Sequence, residues 1–219
     1  MAKDLLRKNP LFSCLKDEEL ESFSRVAVKK TYPKNTILFS EGDNTDSIYF
    51  ISSGKVKVTI IDQSGKEIIL SLLGPGDYFG EMAALVEDAP RSACVMTREA
   101  CQFFVISREN FRDIVTRHTD IVFSLLKGSL DRLKEANKKI ESLALMDVYG
   151  RIARLFLQMA KQNGENLIIE EKLTHQDIAN MVGSSREMVS RVLKELTNGG
   201  YIASSKKIIE IKKKLPYSW

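Results

Sequence analysis

The sequence predicts an α+β fold in three parts: a β-roll, jelly-roll-like, over residues 1–119, a long helix over 120–147, and a smaller helical unit ending in a hairpin over 148–219. Three observations predict it. Short β-branched and aromatic runs separated by turns fill 36–107. Apolar residues then recur at a heptad spacing. Beyond 147, helix-sized amphipathic segments are punctuated by capping residues and by Gly183.

In the first part the runs 47–51, 55–61, 67–73 and 101–106 are rich in Val, Ile, Tyr and Phe. Ser53-Gly54, Gln63-Ser64-Gly65 and Gly74-Pro75-Gly76-Asp77 divide them. Evenly spaced short strands of this kind suit a sandwich or barrel-like domain. Helices over 16–25 and 108–117 are expected to complete it. Of the three cysteines, Cys94 and Cys101 fall in strand-like segments. No CxxC or CxxH pair occurs, so buried reduced thiols are expected.

Val122, Leu126, Ser129, Leu133, Ala136, Ile140 and Leu143 are separated alternately by four and three residues. This is the a/d seam of a coiled coil, and the positions between are rich in Lys, Arg, Asp and Glu. A helix with so narrow a stripe needs a partner. Either it packs on its own β domain or it pairs in parallel with a second copy; the expectation is a homodimer.

The third part begins with a helix expected over 148–163, with Ile152, Leu155, Phe156 and Met159 on one face. Thr174 followed by Asp177 predicts a capped helix that ends at Gly183. Ser184 followed by Glu187 predicts the cap of the next. Helix, glycine turn, helix is the helix-turn-helix pattern. At about 100° per residue, Arg186, Glu187, Ser190, Arg191 and Lys194 share one arc of the second helix, while Met188, Val189, Val192, Leu193 and Leu196 share the opposite arc. Such a polar face is either plain solvation or a reading surface. Arg can pair bidentately with guanine O6 and N7, and Glu can accept from cytosine N4. Glu187 serves as a cap, a base contact or both. The hairpin expected over 201–211 carries Lys206 and Lys207 near its tip, where a wing would lie along phosphates. Lys212, Lys213 and Lys214 extend that contact or form a solvated tail.

Charge placement agrees. The chain of 219 residues carries a net +4, yet from 150 to 219 there are 12 Lys and Arg against 7 Asp and Glu, so the basic excess belongs to the last third. The N-terminus has no signal-peptide core and no apolar run of membrane-spanning length follows, so a cytoplasmic protein without membrane association is expected. With two histidines and no clustered ligands, no metal site is expected. No nucleophile with a nearby base and no P-loop is present, which argues against an enzyme.

Two segments, 146–154 and Val182-Gly183-Ser184-Ser185-Arg186-Glu187-Met188-Val189-Ser190-Arg191-Val192-Leu193-Lys194, resemble the hinge and recognition helix of the catabolite activator protein family, the cyclic-AMP receptor proteins and their relatives. The resemblance covers nearly the whole chain. It implies a winged helix-turn-helix on double-stranded DNA and a TGTGA-like half-site. In it Arg186, Glu187 and Arg191 meet bases, Thr174 meets a phosphate, and Ser185, Ser190, Lys194 and His175 lie nearby; His175 stands where a basic residue is often found. RNA polymerase is the implied protein partner.

In the β domain, Phe79-Gly80-Glu81-Met82-Ala83-Ala84-Leu85 followed by Pro90-Arg91-Ser92-Ala93 resembles the phosphate cassette of cyclic-nucleotide-binding domains. Gly80 and the helix it opens, with Met82 and Ala83, would offer backbone N–H groups to the phosphate. Arg91 and Ser92 would add charged and hydroxyl donors, and Glu81 would accept from the ribose 2′-OH. Arg91→Leu is then expected to abolish nucleotide binding with the fold intact. By the same resemblance Leu70 and Ser71 wall the base, and Arg132 reaches toward the pocket. Ala136 and Asn137 stand where cyclic-AMP-responsive members commonly place Thr then Ser. Cyclic AMP is the expected allosteric effector, with cyclic GMP or ligand-independent activity as the alternative. A reading of another class is a cyclic-nucleotide-binding regulatory subunit of an enzyme, which would need neither wing nor reading face. Iron–sulfur sensing is disfavoured because Cys14 is alone in its region, and haem sensing because the β domain offers no axial ligands.

Overall fold

A computed structural model describes residues 7, 10–12, 16–164, 166–205 and 208–215. The chain divides into two compact units, Met1–Leu133 and Lys134–Trp219.

In the first unit a 3-10 turn (Pro10–Phe12) and helix α1 (Asp17–Val26) precede eight strands. These are β1 (Val28–Tyr32), β2 (Ile37–Phe39), β3 (Ile48–Ser53), β4 (Val56–Ile61), β5 (Glu67–Leu73), β6 (Tyr78–Phe79), β7 (Cys94–Thr97) and β8 (Cys101–Ile106). Helix α2 (Glu81–Leu85) interrupts them after β6, and α3 (Arg108–Arg117) and α4 (Thr119–Leu145) follow. The strands form two antiparallel sheets, ordered β1-β8-β3-β6 and β2-β7-β4-β5.

The alternation of side chains along a strand explains why β3 reads as one continuous apolar run. Ile48 and Phe50 point into a cluster with Phe12, Phe23, Phe104, Phe111, Ile121 and Leu125, built by the helices against the sheet. Tyr49 and Ile51 point the other way, into a cluster with Phe39, Val56, Phe79, Val95 and Phe103. Both faces of β3 are covered, so no polar alternation is possible. Cys94 and Cys101 are buried free thiols; Cys14 lies outside the described residues.

Strands β1, β2 and β6 are absent from the sequence expectation, and β7 enters it only as the strand-like segment at Cys94. β1 reads Val-Lys-Lys-Thr-Tyr and is exposed at all but its last residue, yet it pairs with β8 from Val28↔Val105 to Tyr32↔Cys101. Tertiary pairing, not hydrophobic period, makes it a strand. β2 and β6 are only three and two residues long.

The second unit takes in the end of α4 and then α5 (Val148–Met159), β9 (Lys161–Asn163), β10 (Asn166–Ile169), α6 (His175–Val182), α7 (Arg186–Asn198), β11 (Ile202–Ser205) and β12 (Ile208–Ile211). Its sheet runs β11-β12-β10-β9. Ile152, Phe156, Ile178, Val182, Val189, Val192, Leu196, Ile209 and Ile211 share one core.

Two expectations are corrected here. The helix expected to reach residue 163 stops at Met159. Residues Lys161–Asn163 instead pair with residues 166–168 across Gly164, whose φ of +61° turns the chain, and Ile169 is drawn into the core. The cap of α7 is Ser185, not Ser184: the Ser185 Oγ accepts from the Met188 N–H at 3.1 Å. Ser184 is still closing α6, its N–H donating to the Ala179 carbonyl beside left-handed Gly183. Glu187 therefore sits one residue too early for a capping box, and its exposed carboxylate has no capping duty.

Candidate functional site

Gly80 ends β6 with φ +84° and opens α2. That conformation suits glycine, and space demands it as well. A Cβ there would lie 2.5 Å from Arg91 Nη1 and 2.9 Å from the Ser47 carbonyl oxygen. Arg91 is 2% exposed. Its Nε donates to Thr45 Oγ1 at 2.8 Å, Nη1 to the Gly80 carbonyl at 3.1 Å and Nη2 to the Ser47 carbonyl at 2.7 Å. The guanidinium lies 4.0 Å over the Phe39 ring, with Tyr49 at 6.0 Å. Burial pulls the Arg91 pKa down, opposed by Tyr49 and by Asp46, Glu81 and Asp43; an arginine nevertheless stays charged. Of its five N–H groups three are used. Among the described residues no carboxylate ion-pairs with it. Asp46, Glu81 and Asp43 act on it only from beyond ion-pair distance, and two spare fork-shaped donors beside a glycine are the chemistry that receives an anion.

On α2, the Glu81 carboxylate accepts from Arg132 Nη1 at 2.8 Å. Arg132 comes from the heptad helix α4. It also donates to the Tyr78 carbonyl at 2.5 Å and lies 4.8 Å over the Tyr78 ring. The ring in turn reaches α4, because a Cβ at Gly128 would stand 2.5 Å from the Tyr78 hydroxyl. Ser92 Oγ lies 3.4 Å from the Met82 sulfur, with both residues exposed. Thus Gly80, Glu81, Arg91 and Arg132 are brought together and Met82 meets Ser92. Ala83 is buried in α2; Leu70 is exposed and Ser71 half-buried on β5. Ala136 and Asn137 are exposed on the part of α4 that belongs to the second unit.

Sequence reasoning missed the residues that hold this cassette in shape. Arg108 donates twice to the Ala83 carbonyl, at 3.1 and 2.7 Å, and lies 3.8 Å from Asp46; Arg112 donates to the Leu85 carbonyl at 3.2 Å. Two α3 arginines thereby satisfy the C-terminal carbonyls of α2. Their spacing of four was the available signal, but it reads equally as a solvated helix face.

In the second unit the polar and apolar arcs of α7 separate as the helical spacing implied. Arg186, Glu187, Arg191 and Lys194 are exposed and Ser190 half-buried, while Val189, Val192, Leu193 and Leu196 are buried. The Thr174 hydroxyl is committed to the capping box, accepting from the Asp177 N–H at 3.0 Å and donating to its carboxylate at 2.9 Å. What this helix start still offers a phosphate is its first backbone N–H groups, which no helical carbonyl can satisfy, and the exposed ring of His175. His175 Nδ1 lies 2.8 Å from Ser190 Oγ, joining α6 to the polar face of α7. From the other side, Arg151 Nη1 donates to the Val182 and Gly183 carbonyls at 2.7 and 3.3 Å. Lys206 and Lys207, expected at the wing tip, lie outside the described residues. Lys212, Lys213 and Lys214 are exposed, Lys212 being paired with Glu210 at 2.6 Å.

Residues 29–118 match the cyclic nucleotide-binding domain, and 150–214 match the Crp-like helix-turn-helix domain. The cAMP-activated global transcriptional regulator CRP of Salmonella typhimurium is 36% identical over 198 residues, covering 89% of this chain and 94% of that protein. The chain belongs to the Crp/Fnr family of transcription regulators. Another relative of this Crp/Fnr chain, the cAMP-activated global transcriptional regulator Vfr of Pseudomonas aeruginosa, is 35% identical over 175 residues, 77% of this chain and 81% of that one. Among solved structures, the c-di-GMP-responsive global regulator CLP of Xanthomonas campestris superposes with a TM-score of 0.79 at 26% identity, covering 90% of this chain and all of that one. The catabolite activator protein of Thermus thermophilus gives 0.57 at 29% identity over 93% and 94%. The Crp/Fnr chain is thus a Crp-like, cyclic-nucleotide-responsive transcription regulator with a DNA-binding helix-turn-helix. Among its described residues, no helix is long and apolar enough to cross a membrane.

Proposed function

We propose that the chain is a cytoplasmic, non-enzymatic homodimer that binds cyclic AMP in each β domain and, so loaded, reads a palindromic TGTGA-like operator and contacts RNA polymerase. The observation that carries this reading is the Arg132–Glu81 ion pair. It ties the acidic residue of the nucleotide cassette to the helix whose seam would hold the dimer. Whatever binds beside Glu81 acts on α4, which is what an effector-gated dimer needs.

Three functional segments follow, as the sequence divides them: nucleotide binding over 1–119, dimerisation over 120–147 and DNA reading over 148–219. The phosphate would meet the two spare Arg91 donors, Ser92 and the N–H groups opened by Gly80, with Met82 and Ala83 alongside. The ribose hydroxyl would meet Glu81, Leu70 and Ser71 would wall the base, and Arg132 would reach toward the pocket. On DNA, Arg186, Glu187 and Arg191 would read bases. Ser185, Ser190, Lys194, His175, Lys206 and Lys207 would line the interface, and Thr174 would shape the helix start.

Support for the dimer comes from α4, where Val122, Leu126, Leu133, Ile140 and Leu143 are 40–64% exposed within one chain. Large apolar side chains at heptad spacing are stable in water only when covered. A second effector reading has its own observation. Ala136 carries no hydroxyl, and Asn137 both donates and accepts at a purine edge, so cyclic GMP is the alternative ligand. The regulatory-subunit reading leaves the exposed Arg186-Glu187-Arg191 face without a use.

Titration calorimetry of the wild type with cyclic AMP and with cyclic GMP, followed by binding to a TGTGA palindrome, tests the proposal. Saturable heat with cyclic AMP and a ligand-dependent gain in operator affinity are expected. Absence of heat and of any thermal shift with both nucleotides overturns the effector assignment. Operator binding that survives an Arg186→Ala, Arg191→Ala double substitution overturns the reading face.

A further inference from the structure

We infer that His175 is a positioning residue that fixes the Ser190 hydroxyl as a hydrogen-bond acceptor, so that Ser190 selects a base that presents an exocyclic amino group in the major groove. The inference rests on the DNA-reading proposal and adds to it a residue that acts through another. Its basis is the 2.8 Å bond between His175 Nδ1 and Ser190 Oγ. That bond joins the first residue of α6 to the polar face of α7.

A hydroxyl has one hydrogen, and the direction of this bond decides where it goes. If Nδ1 carries the proton it donates to Ser190, and the serine O–H is free to point outward as a donor. If Nε2 carries it, Nδ1 accepts the serine O–H, and Ser190 shows only lone pairs to the groove. The two tautomers therefore make Ser190 a reader of opposite base edges.

The surroundings choose between them. His175 is exposed and follows Thr174, whose own hydroxyl is consumed by the Asp177 capping box. At this helix start on a DNA-facing surface the outward imidazole nitrogen meets phosphate oxygens, which only accept. A lone pair on Nε2 would be repelled there, whereas an Nε2–H would donate. The phosphate selects the Nε2–H tautomer, that tautomer accepts the Ser190 hydrogen, and Ser190 Oγ is left facing the groove as an acceptor. In the major groove its partners are adenine N6 and cytosine N4, and it is mismatched to guanine O6 and thymine O4. A sequence-neutral phosphate contact is in this way converted into a base preference.

Fluorescence anisotropy of the full chain at pH 8, with cyclic AMP present, on TGTGA palindromes tests it. In these duplexes one adenine at a time becomes purine, or one cytosine becomes 2-pyrimidinone, so that only the amino group is deleted. One symmetric position is expected at which the deletion weakens wild-type binding roughly threefold to tenfold, the range of one lost hydrogen bond. That penalty is expected to vanish in both Ser190→Ala and His175→Ala, and to persist in His175→Asn, whose carbonyl can accept where Nδ1 did. If His175→Ala instead weakens binding equally on every duplex, or leaves the position-specific penalty in place, the relay is wrong. A wild type that prefers no TGTGA duplex over scrambled DNA gives a different signature and removes the operator reading itself.

Discussion

Arg91 Nη1 donates to the Gly80 carbonyl at 3.1 Å, and a Cβ at Gly80 would stand 2.5 Å from that same nitrogen. The residue that opens the cassette helix and the residue that supplies its charge are thus one steric unit. Gly80→Ala is expected to lower stability by roughly 1–3 kcal/mol through its left-handed backbone and the clash. It should also abolish nucleotide binding, because Arg91 must move. Urea unfolding and titration calorimetry on the same preparation check both effects.

The packing of Arg91 changes what its replacement should do. Seen only as a ligand contact, Arg91→Leu would leave the fold intact. The structure makes Arg91, itself 2% exposed, the donor to Thr45 and to the half-buried Ser47 and Gly80 carbonyls, so leucine takes a charged donor from those two carbonyls at about 1–3 kcal/mol for each one that finds no substitute. Arg91→Leu is therefore expected to lose nucleotide binding and also at least about 2 kcal/mol of stability. Arg91→Lys keeps a point charge without the fork, and should retain more stability while binding nucleotide at least tenfold more weakly. Equal melting temperatures for wild type and Arg91→Leu would contradict this account.

Ile140 is 64% exposed at the seam of α4. Across a parallel pair it would be buried on both helices, each copy contributing about 1.5–3 kcal/mol. Ile140→Glu forfeits that and sets two like charges face to face. Sedimentation equilibrium should show a dimer for the wild type and a monomer for the variant at micromolar concentration. A wild type that is already monomeric would remove the dimer.

The parts of the fold that were legible in the sequence are those where local pattern and tertiary role coincide. β5 and β8, the helical span of α4 and the Thr174–Asp177 and Gly183 signals each state their structure within a few residues. β1 was illegible because its Lys-Lys-Thr run has no apolar period and is a strand only through β8. The β9–β10 hairpin was hidden by a helix pattern that ran on past Met159. At the candidate site, residue types pointed to Gly80, Glu81 and Arg91, which lie together beside Arg132, and to Arg186 and Arg191, which are exposed on α7. The supports, Phe39 beneath Arg91 and Arg108 on the Ala83 carbonyl, were hidden because they lie 52 and 25 positions away in the chain. Nothing local marks a phenylalanine that stacks on an arginine apart from one that fills a core.

Two arginines in the second unit should separate architecture from recognition. Arg151 donates to the Val182 and Gly183 carbonyls and so caps the end of α6 at the turn before α7. Arg186 is exposed on α7 and has no protein partner among the described residues. Arg151→Met is expected to lower stability by about 1–3 kcal/mol, because two carbonyls lose a charged donor. It should weaken operator binding only through looser placement of the turn, with sequence preference kept. Arg186→Ala is expected to leave stability within about 0.5 kcal/mol. It should cost about 1–3 kcal/mol on the operator, almost all at one base pair. Thermal unfolding paired with anisotropy on operator and scrambled duplexes distinguishes them. Should Arg186→Ala weaken operator and scrambled DNA alike, its contact is with phosphate, and base reading falls to Glu187 and Arg191.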